Sequence, residues 1–445
     1  MFSYREALNY LNSLINYEKK VDVAYNRRLF NLERIRVILE RLNNPHLFLK
    51  TIHIAGTKGK GSTAAIIASI LDAAGYKVGL YTSPHLISPR ERIRIGTQFI
   101  KEDEFAFHLA RIKQVVENTR YEGEPLSPTF FEIYTSVAFT YFYQKKVDIA
   151  VIEVGLGGRL DATNVIKPLI GIITPISFDH TEQLGSSLTS IAKEKAGIIK
   201  PGSKIVISRQ EKEVIPILQD VCKRQGVKFY QVGKDIKFSL IEATPQYQKF
   251  KVDGLFKEYP SLFLPLAGEH QLWNATTAIA AVEILQEHGF KIFPHSIQQG
   301  IRKVRWPGRL QIISSRPVTL VDCAHNGASA RSVAKFLKQL YPGRNIVLVM
   351  AVLKSKDINA IAEALCPLAG QVIVTQINNP RALSLDEIYT KIKRYCKSEP
   401  LKEKNIRQAL EKARYIARKD GVVCITGSVY LAGEILNITG SKIIN

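Results

Sequence analysis

Short apolar runs alternate with helical patterns along most of the chain. A continuous apolar run is typical of a strand buried on both faces, whereas apolar residues at every third and fourth position indicate an amphipathic helix. The strands predicted in the first part cover residues 51–54, 77–81, 147–154, 169–176, 204–207 and 227–232. The helices predicted there cover residues 62–74, 102–116, 130–142 and 187–196. This alternation favours a mostly parallel sheet with helices on both faces.

Two stretches of the first part do not follow this alternation. Residues 3–44 show helical spacing and are predicted to be helices. Residues 236–264 contain short alternating runs, which indicate a small antiparallel β appendage. One helix is predicted after the appendage, over residues 268–289.

The alternation starts again after a basic segment, residues 302–309, which contains Pro307 and Gly308 as a linker would. The strands predicted beyond it cover residues 318–321, 345–352, 371–375 and 422–426. The helices predicted there cover residues 328–340, 358–365, 385–395 and 406–417. We therefore predict a first domain over residues 1–300, a linker over 301–308 and a C-terminal domain over 309–445. The predicted fold class is α/β: a P-loop-type, mostly parallel sheet domain with the β appendage, plus a smaller Rossmann-like domain.

Composition limits the class of protein. The chain has 445 residues, of which 46% are hydrophobic and 23% charged, as in a globular protein. No apolar run approaches the roughly 18 residues that span a bilayer, and no signal-peptide core is present, so we expect no membrane partner. The five cysteines form no C-x-x-C pair, which favours a reduced, cytoplasmic location. The net charge of +22 suits anionic ligands such as ATP, but no basic tract interleaved with aromatic residues indicates a nucleic-acid partner.

The most informative stretch follows the first predicted strand and reads Gly56-Thr57-Lys58-Gly59-Lys60-Gly61-Ser62-Thr63. Strand, glycine-rich turn and helix place backbone N–H groups and a helix N-terminus around a phosphate. Lys60 is then expected at the outer phosphates, and Ser62 or Thr63 near a magnesium ion. Gly61 separates the lysine from the serine, unlike the standard P-loop, and an ordinary glycine turn is the alternative.

Polar side chains also end the neighbouring strands of the first domain. Ser83 and His180 each follow a predicted strand and Glu153 lies near the carboxyl end of another, where ligands of open α/β sheets bind. A hydroxyl, a carboxylate and an imidazole, with phosphate oxygens, make a reasonable magnesium site. The alternatives are a capping or core histidine and a glutamate in an ion pair. A second glycine-rich loop, residues 155–164, follows Glu153 and is expected close to the ligand.

In the second domain the polar residues after the strands are Asp322, His325, Ser428 and Tyr430. Each alone is weak evidence, because an Asp or Ser at such a place is often only an N-cap. Arg309, just after the linker, is placed to contact a phosphate when the domains close. The residues thus predict an ATP-dependent enzyme with its site between two α/β domains, and leave hydrolase, kinase and ligase open.

Ten motifs occur in an order that resembles the folylpolyglutamate synthase/dihydrofolate synthase family, relatives of the Mur ligases. They are Gly56–Ser62, Thr82–Leu86, Phe130–Glu132, Glu153–Asn164, Asp179–His180, Glu194–Ile198, Gly268–Gln271, Trp306–Leu310, Asp322–Asn326 and Gly427–Ser428. The resemblance implies that a pterin carboxylate attacks the γ-phosphate of ATP to form an acyl phosphate. The amino group of L-glutamate then attacks the acyl carbon, and phosphate leaves. Domain closure would bring the two substrates together and exclude water.

The family's site residues carry over to matching positions. ATP would be held by Gly56, Thr57, Gly59, Lys60, Gly61, Ser62, Thr63, Asn274, Arg309 and Asp322. The implied magnesium ligands are Ser83, Glu153, His180 and Lys195, the last as a carbamate. The pterin would contact Thr129, Phe131, Asp161 and Ala162, and glutamate would contact His325, Ser428 and Tyr430. The implied catalytic residues are Lys60, Glu153, His180, Lys195, Asp322 and His325. ATP, two Mg²⁺ ions and, as an option, a monovalent cation such as K⁺ are the implied cofactors.

Several alternatives remain open within and beyond this resemblance. Lys195 can instead be a helix-surface lysine paired with Glu194, and Phe131 a core aromatic. Lys58 and Cys323 depart from residues that relatives often carry, but neither bears a proposed reactive group. A monofunctional folylpolyglutamate synthase or another Mur-type amino-acid ligase is the runner-up to a bifunctional enzyme. A nucleotide-binding regulator is the alternative from another class. We expect a monomer that acts on small molecules.

Overall fold

The computed structural model describes residues 2–18 and 30–441, and these residues divide into two units. Unit 1 comprises residues up to Ser239, Lys251–Leu262 and Trp273–Val304. Unit 2 comprises Leu240–Phe250, Phe263–Leu272 and the chain from Arg305 onward. In the described ranges, no helix is long and apolar enough to cross a membrane.

Unit 1 is built on one large sheet. Its strands are β1 (Thr51–Ala55), β2 (Val78–Tyr81), β3 (Ile93–Ile95), β4 (Gln98–Phe99), β7 (Ile149–Glu153), β8 (Ile170–Ile173), β9 (Lys204–Ile207) and β10 (Phe229–Gln231). The two remaining strands of this part of the chain, β5 (Arg120–Tyr121) and β6 (Glu124–Pro125), form a separate hairpin. The order across the large sheet is β10-β9-β8-β1-β7-β2-β3-β4. Neighbours from β10 to β2 are parallel, whereas β3 and β4 form an antiparallel edge. The carboxyl ends of β1, β7 and β2 therefore meet at one edge of the sheet.

The helices of unit 1 cover the sheet. They are α1 (Tyr4–Ser13), α2 (Leu32–Arg41), α3 (Lys60–Ala73), α4 (Glu102–Glu117), α5 (Phe130–Gln144), α6 (Thr181–Leu184), α7 (Leu188–Ala196) and α8 (Val214–Gln225), followed by α9 (Glu269–Leu285), which both units share, and α10 (Pro294–Lys303). Several of these helices begin with a capping box, in which the N-cap residue and the third helical residue exchange hydrogen bonds. At α5, for example, Thr129 accepts from the N–H of Glu132 while the Glu132 carboxylate accepts from the N–H of Thr129. This cap fixes where the chain turns into the helix and so where Phe131 lies.

A small sheet of order β11-β12-β13 corresponds to the predicted appendage. Its strands are Lys237–Ala243, Gln248–Asp253 and Glu258–Leu264. The buried carboxylate of Glu283 on α9 accepts from the N–H of Leu255 (2.6 Å) and the hydroxyl of Tyr259 (2.9 Å). These contacts fix the turn between β12 and β13.

Unit 2 contains a second sheet, of order β14-β15-β19-β16-β17-β18. The strands are β14 (Gln311–Ser315), β15 (Val318–Val321), β16 (Ile346–Met350), β17 (Gln371–Val374), β18 (Leu401–Lys402) and β19 (Val422–Thr426). All neighbours are parallel except β14, which pairs antiparallel with β15. The helices are α11 (Gly327–Leu340), α12 (Ile358–Leu365), α13 (Leu385–Ile392), α14 (Ile406–Ala417) and α15 (Val429–Ile438). The α/β fold class is confirmed.

Some predicted elements differ from those observed. Only parts of the predicted helical region 3–44 are helical, since α1 ends at Ser13 and α2 begins at Leu32. Residues 19–29 of that region lie outside the described part of the chain. Helix α10 extends to Lys303, into the segment that was predicted as a linker, because Ile297 and Ile301 lie one turn apart and are both buried. The proposed boundaries 1–300, 301–308 and 309–445 stay predictions.

Candidate active site

The glycine-rich loop of unit 1 connects β1 to α3, as the sequence predicts. Gly59 adopts φ 81° directly before the first residue of α3, Lys60. This left-handed conformation is one that a side chain disfavours. The loop therefore ends at a fourteen-residue helix whose first N–H groups lack intrahelical partners and can bind an anion.

Two close approaches make glycine necessary in this loop. A Cβ at Gly56 would overlap the Thr174 hydroxyl, and one at Gly59 would overlap the side-chain oxygen of Asn274. The second approach places Asn274, a predicted ATP contact, against the loop. The N–H groups of Thr57 and Lys58 both donate to the carbonyl oxygen of Pro175, at 3.0 and 3.2 Å. These contacts fix the loop against the segment that follows β8.

Two lysines and one carboxylate lie at the base of the loop. The ammonium groups of Lys60 and Lys195 both donate to the carbonyl oxygen of Gly56, at 3.2 and 2.9 Å. The Glu153 carboxylate lies 3.9 Å from the Lys60 ammonium and accepts from the backbone N–H of Ser83 at 3.2 Å. The structure thus brings together Lys60 at the start of α3, Ser83 after β2, Glu153 at the end of β7 and Lys195 on α7. It places Lys195 inside the unit, not on the helix surface.

The environment of Lys195 disfavours its charged form. Burial and the neighbouring Lys60 ammonium lower the pKa of Lys195 to about 7, against the opposing effect of Asp179 and Asp161. The amine is therefore substantially neutral near neutral pH. A neutral lysine amine is a nucleophile, which is the form that can react with CO₂.

His180 and Asp179 follow β8 and precede α6. The backbone N–H of His180 donates to Asp179 Oδ1 at 3.0 Å, and His180 Nε2 lies 3.9 Å from that oxygen. The imidazole is about half exposed, whereas Asp179 is mostly buried. Within the described ranges, no group of three or more His, Cys, Asp or Glu side chains could hold a metal ion. Of the four predicted magnesium ligands, only Glu153 and His180 belong to these residue types. The other two are Ser83 and Lys195.

The second glycine-rich loop, residues 155–164, is held by internal hydrogen bonds. Asp161 Oδ2 accepts from the N–H of Leu156 (2.9 Å), and Asp161 Oδ1 accepts from the N–H and the hydroxyl of Thr163 (3.0 and 2.5 Å). Burial raises the pKa of Asp161 despite these donors. The Thr163 hydroxyl also lies 2.8 Å from His53 Nε2 in the middle of β1. A buried chain from His53 through Thr163 thus positions the Asp161 carboxylate.

The predicted pterin residues surround this loop. Phe131 lies so close to Gly155 that a Cβ there would be 2.5 Å from the phenyl ring. Its ring centroid is 6.0 Å from that of Tyr81, and the side chain is only partly buried. The neighbouring Phe130 lies in the core instead. Ala162 and Thr129 are buried, and the Thr129 hydroxyl caps α5.

Unit 2 brings Arg309, Asp322 and His325 together. Asp322 follows β15; Oδ1 accepts from the N–H of Ala324 (2.7 Å) and Oδ2 from that of Leu310 (2.8 Å). Burial raises the pKa of Asp322, and the Arg309 and His325 side chains oppose this effect. His325 Nδ1 lies 2.9 Å from the carbonyl oxygen of Cys323, which can only accept, so Nδ1 carries the proton.

Ser428 and Tyr430 follow β19, where Ser428 is the N-cap of α15 and Tyr430 its second residue. The preceding Gly427 donates an N–H to the carbonyl oxygen of Ala324 at 2.9 Å. The Ser428 hydroxyl caps α15 by accepting from the N–H of Tyr430 at 3.1 Å. The Tyr430 hydroxyl accepts from Arg381 Nη2 at 3.3 Å.

Sequence reasoning missed several residues of these sites. His53 lies in the first predicted strand and Thr163 in a predicted motif, but neither received a role, although a histidine inside an apolar strand is an unusual choice. Asp179 was quoted only as part of a motif, and its influence on Lys195 depends on tertiary structure. Arg381 lies in a loop after a predicted strand, which was a usable signal.

The comparisons with known proteins agree with this geometry. Residues 54–282 match the Mur ligase middle domain, and residues 308–429 match the Mur ligase glutamate ligase domain. The dihydrofolate synthase/folylpolyglutamate synthase of Bacillus subtilis is 34% identical and covers 91% of this chain and 94% of its own. The folylpolyglutamate synthase of Lacticaseibacillus casei is 31% identical, with 97% and 98% covered.

Solved structures show the same relationship. A Mycobacterium tuberculosis folylpolyglutamate synthase complexed with ADP has a TM-score of 0.90 and 32% identity over 99% of this chain and 98% of that chain. An Escherichia coli FolC in complex with DHPP and ADP has a TM-score of 0.86 and 28% identity, with 99% and 98% covered. The phosphate loop and the two Mur ligase matches define an ATP-dependent ligase. The chain belongs to the dihydrofolate synthase/folylpolyglutamate synthase family.

Proposed function

We propose that this chain joins L-glutamate to dihydropteroate and to the γ-carboxyl group of reduced folates, converting ATP to ADP and phosphate. The observation that carries the proposal is the arrangement at the Gly56 carbonyl, where Lys60 and Lys195 converge beside Glu153. Phosphoryl transfer to a carboxylate needs cationic groups around the moving phosphoryl group and a buried place for the acceptor. Family membership supports the same reaction.

The first step forms an acyl phosphate. A carboxylate oxygen of the pterin substrate attacks the γ-phosphorus of ATP, the bond from that phosphorus to the β,γ-bridging oxygen breaks, and ADP leaves. The loop N–H groups and Lys60 stabilise the negative charge on the transferred group. Asn274, against Gly59, and Arg309 and Asp322 of unit 2 are the further nucleotide contacts in this proposal.

Ser83, Glu153, His180 and a carbamate on Lys195 are proposed to hold magnesium, with two ions in all. The donor set fits, because the buried Glu153 carboxylate and the Ser83 backbone adjoin each other and the Lys195 amine is largely neutral. Bound magnesium supplies Lewis-acid stabilisation of phosphate oxygens. A K⁺ ion is an optional further cofactor.

The carbamate follows from ordinary amine chemistry. The lone pair of Lys195 Nζ attacks the carbon of CO₂, an N–C bond forms, a C–O π pair moves onto oxygen, and a proton leaves to solvent. This reaction converts the neutral amine into an anionic oxygen ligand beside Lys60, whose ammonium group disfavours a cation at this position.

The pterin ring is proposed to lie against Phe131, with Thr129, Asp161 and Ala162 around it. Phe131 is partly exposed beside Gly155, so an aromatic face is available for stacking. The Asp161 carboxylate already accepts three hydrogen bonds from its own loop and is therefore held in one orientation.

The second step forms the amide. The glutamate nitrogen attacks the acyl carbon, the carbon–oxygen bond to phosphate breaks, and the nitrogen loses a proton. His325, whose Nδ1 donates to the carbonyl oxygen of Cys323, is proposed to take up the proton of the glutamate nitrogen. Ser428 and Tyr430 are the other proposed glutamate contacts, and Asp322 positions Arg309 and His325. We also propose a cytoplasmic monomer without nucleic-acid or membrane partners.

Phosphate release tests the proposal. Purified protein would be given Mg-ATP and L-glutamate, with dihydropteroate or tetrahydrofolate as acceptor and Glu153→Gln as the control for the site. Release with both acceptors supports the bifunctional enzyme, and release with one assigns that single activity. No release by folded protein with either acceptor would contradict the proposal and favour another Mur-type substrate.

A further inference from the structure

Arg381 lies in a well-anchored loop of unit 2. The loop follows β17, and its Asn378 N–H donates to Glu434 Oε1 on α15 at 3.2 Å. The N–H of Arg381 donates to Asn379 Oδ1 (2.9 Å), and the carbonyl oxygen of Arg381 accepts from the N–H of Lys354 (2.8 Å). The backbone of Arg381 is therefore fixed from both sides before any ligand binds.

The Arg381 guanidinium has a neutral partner instead of an acidic one. Its Nη2 donates to the Tyr430 hydroxyl at 3.3 Å, and its Nε is buried without a hydrogen-bond partner. Within residues 2–18 and 30–441, no carboxylate forms an ion pair with it. By contrast, Arg34 is paired with Glu132, Arg92 with Glu18 and Arg159 with Glu194.

The surroundings of Arg381 favour an anion. Tyr430 is the second residue of α15, a ten-residue helix that Ser428 caps. A helix N-terminus carries partial positive charge, which adds to the charge of the guanidinium. The loops after β15, β17 and β19 leave the same edge of a parallel sheet. Arg381 therefore lies at the same sheet edge as His325 and Ser428.

We infer that Arg381 binds the side-chain carboxylate of the incoming L-glutamate and selects it over amino acids with a neutral side chain. The inference rests on the proposed function. In L-glutamate the amino group and the α-carboxylate are bonded to the same carbon. His325 and Ser428, the residues proposed at the reacting nitrogen, therefore also lie near the α-carboxylate. Arg381 is hydrogen-bonded to Tyr430, the third proposed glutamate contact, and is placed to bind the side-chain carboxylate at the other end of the substrate. A guanidinium donates two parallel hydrogen bonds to a carboxylate, and its unpartnered Nε supplies one of them.

Replacement of the guanidinium tests the inference. For Arg381→Gln we expect the KM for L-glutamate to rise on the order of 10- to 100-fold, as for loss of a charged hydrogen-bonded pair. The KM for L-glutamine, a substrate analogue with a neutral side chain, should change less than threefold, roughly the size of neutral surface effects. The KM for ATP and the thermal midpoint should not move. Arg381→Lys should recover part of the glutamate affinity.

Arg407→Gln is the matched control, because Arg407 is an exposed arginine of the same unit on α14. It removes the same charge and should leave every parameter unchanged. An unchanged glutamate KM in Arg381→Gln overturns the inference, and equal loss for glutamate and glutamine overturns the assignment to the side-chain carboxylate. No glutamate-dependent phosphate release by the unsubstituted protein would instead contradict the proposed function itself.

Discussion

At the scale of single residues, the buried amine of Lys195 allows a prediction about pH. The ordinary lysine pKa is about 10.4, whereas burial and Lys60 lower that of Lys195 to about 7 in the folded chain. The neutral amine therefore predominates above pH 7 and is lost as the pH falls below it. With ¹³C-labelled bicarbonate and magnesium, we expect a carbamate NMR signal at pH 8 that disappears by pH 6.

Lys193→Met is the control for Lys195→Met, since Lys193 is exposed on the same helix. The signal should survive the first substitution and be absent from the second. A signal in Lys195→Met would assign the carbamate elsewhere. Its absence from the unsubstituted protein at pH 8 would contradict the carbamate.

His53 provides a second residue-scale prediction. Thr163 donates its single hydroxyl proton to Asp161, so it must accept from His53 Nε2. Burial lowers the pKa of His53 well below its ordinary value, which keeps the ring neutral. We expect His53→Leu to raise the KM for the pterin substrate several-fold and to lower the free energy of unfolding by about 1–2 kcal/mol. Steady-state kinetics and urea unfolding would measure both.

His53→Gln is the matched variant, because the glutamine amide can donate from nearly the position of Nε2. It should restore most of the pterin affinity, while the KM for ATP stays constant in both variants. If the two variants behave alike, the hydrogen bond to Thr163 has no part in pterin binding.

At the scale of elements, continuous apolar strands were the most predictable feature. β9, β15 and β19 match their predicted limits because each is a short apolar run between polar segments. β14 was missed, since three of its five residues are polar, none is fully buried and its antiparallel pairing depends on β15. α15 was missed although Leu431 and Ile435 repeat at helical spacing.

The packing of α10 on α3 gives a prediction at this scale. A Cβ at Gly300 would overlap the backbone of Ile70, and the carbonyl oxygen of Gly300 accepts from the Ser69 hydroxyl at 2.7 Å. Gly300→Ala gains about 1 kcal/mol of helix propensity but must separate two backbones, which typically costs about 1–3 kcal/mol. We expect a net loss of stability and a higher KM for ATP, since α3 begins at the phosphate loop.

Gln299→Ala separates the two effects, because Gln299 is exposed on α10 and its replacement changes propensity alone. Chemical denaturation and ATP kinetics should leave this variant at or above the unsubstituted protein. A Gly300→Ala protein as stable as Gln299→Ala, with an unchanged KM for ATP, would show that the close approach does not support the loop.

At the scale of the whole molecule, motifs name candidate residues at the ends of particular strands, but the contacts between these residues are distant in sequence. Lys195 and Gly56 are 139 residues apart, and Arg381 and Tyr430 are 49 apart. A motif can name such residues singly. Their burial and pairing depend on strand order, which places β8, β1, β7 and β2 side by side although β1 and β7 are far apart along the chain.

The net charge of +22 leads to the last prediction, because all three substrates of the proposed reaction, ATP, L-glutamate and the folate, are anions. Each γ-linked glutamate adds one negative charge to a folate, so the whole-molecule field should act more strongly on a triglutamate than on a monoglutamate. The Debye length falls from about 10 Å at 0.1 M salt to about 3 Å at 1 M. We therefore expect kcat/KM to fall roughly tenfold between 0.05 and 0.5 M KCl, and more steeply for the triglutamate, while kcat changes little. Sucrose at matched osmolality is the control for viscosity and water activity, and free Mg²⁺ would be held constant. Equal salt slopes for the two acceptors would show that the positive charge acts on something other than the folate tail.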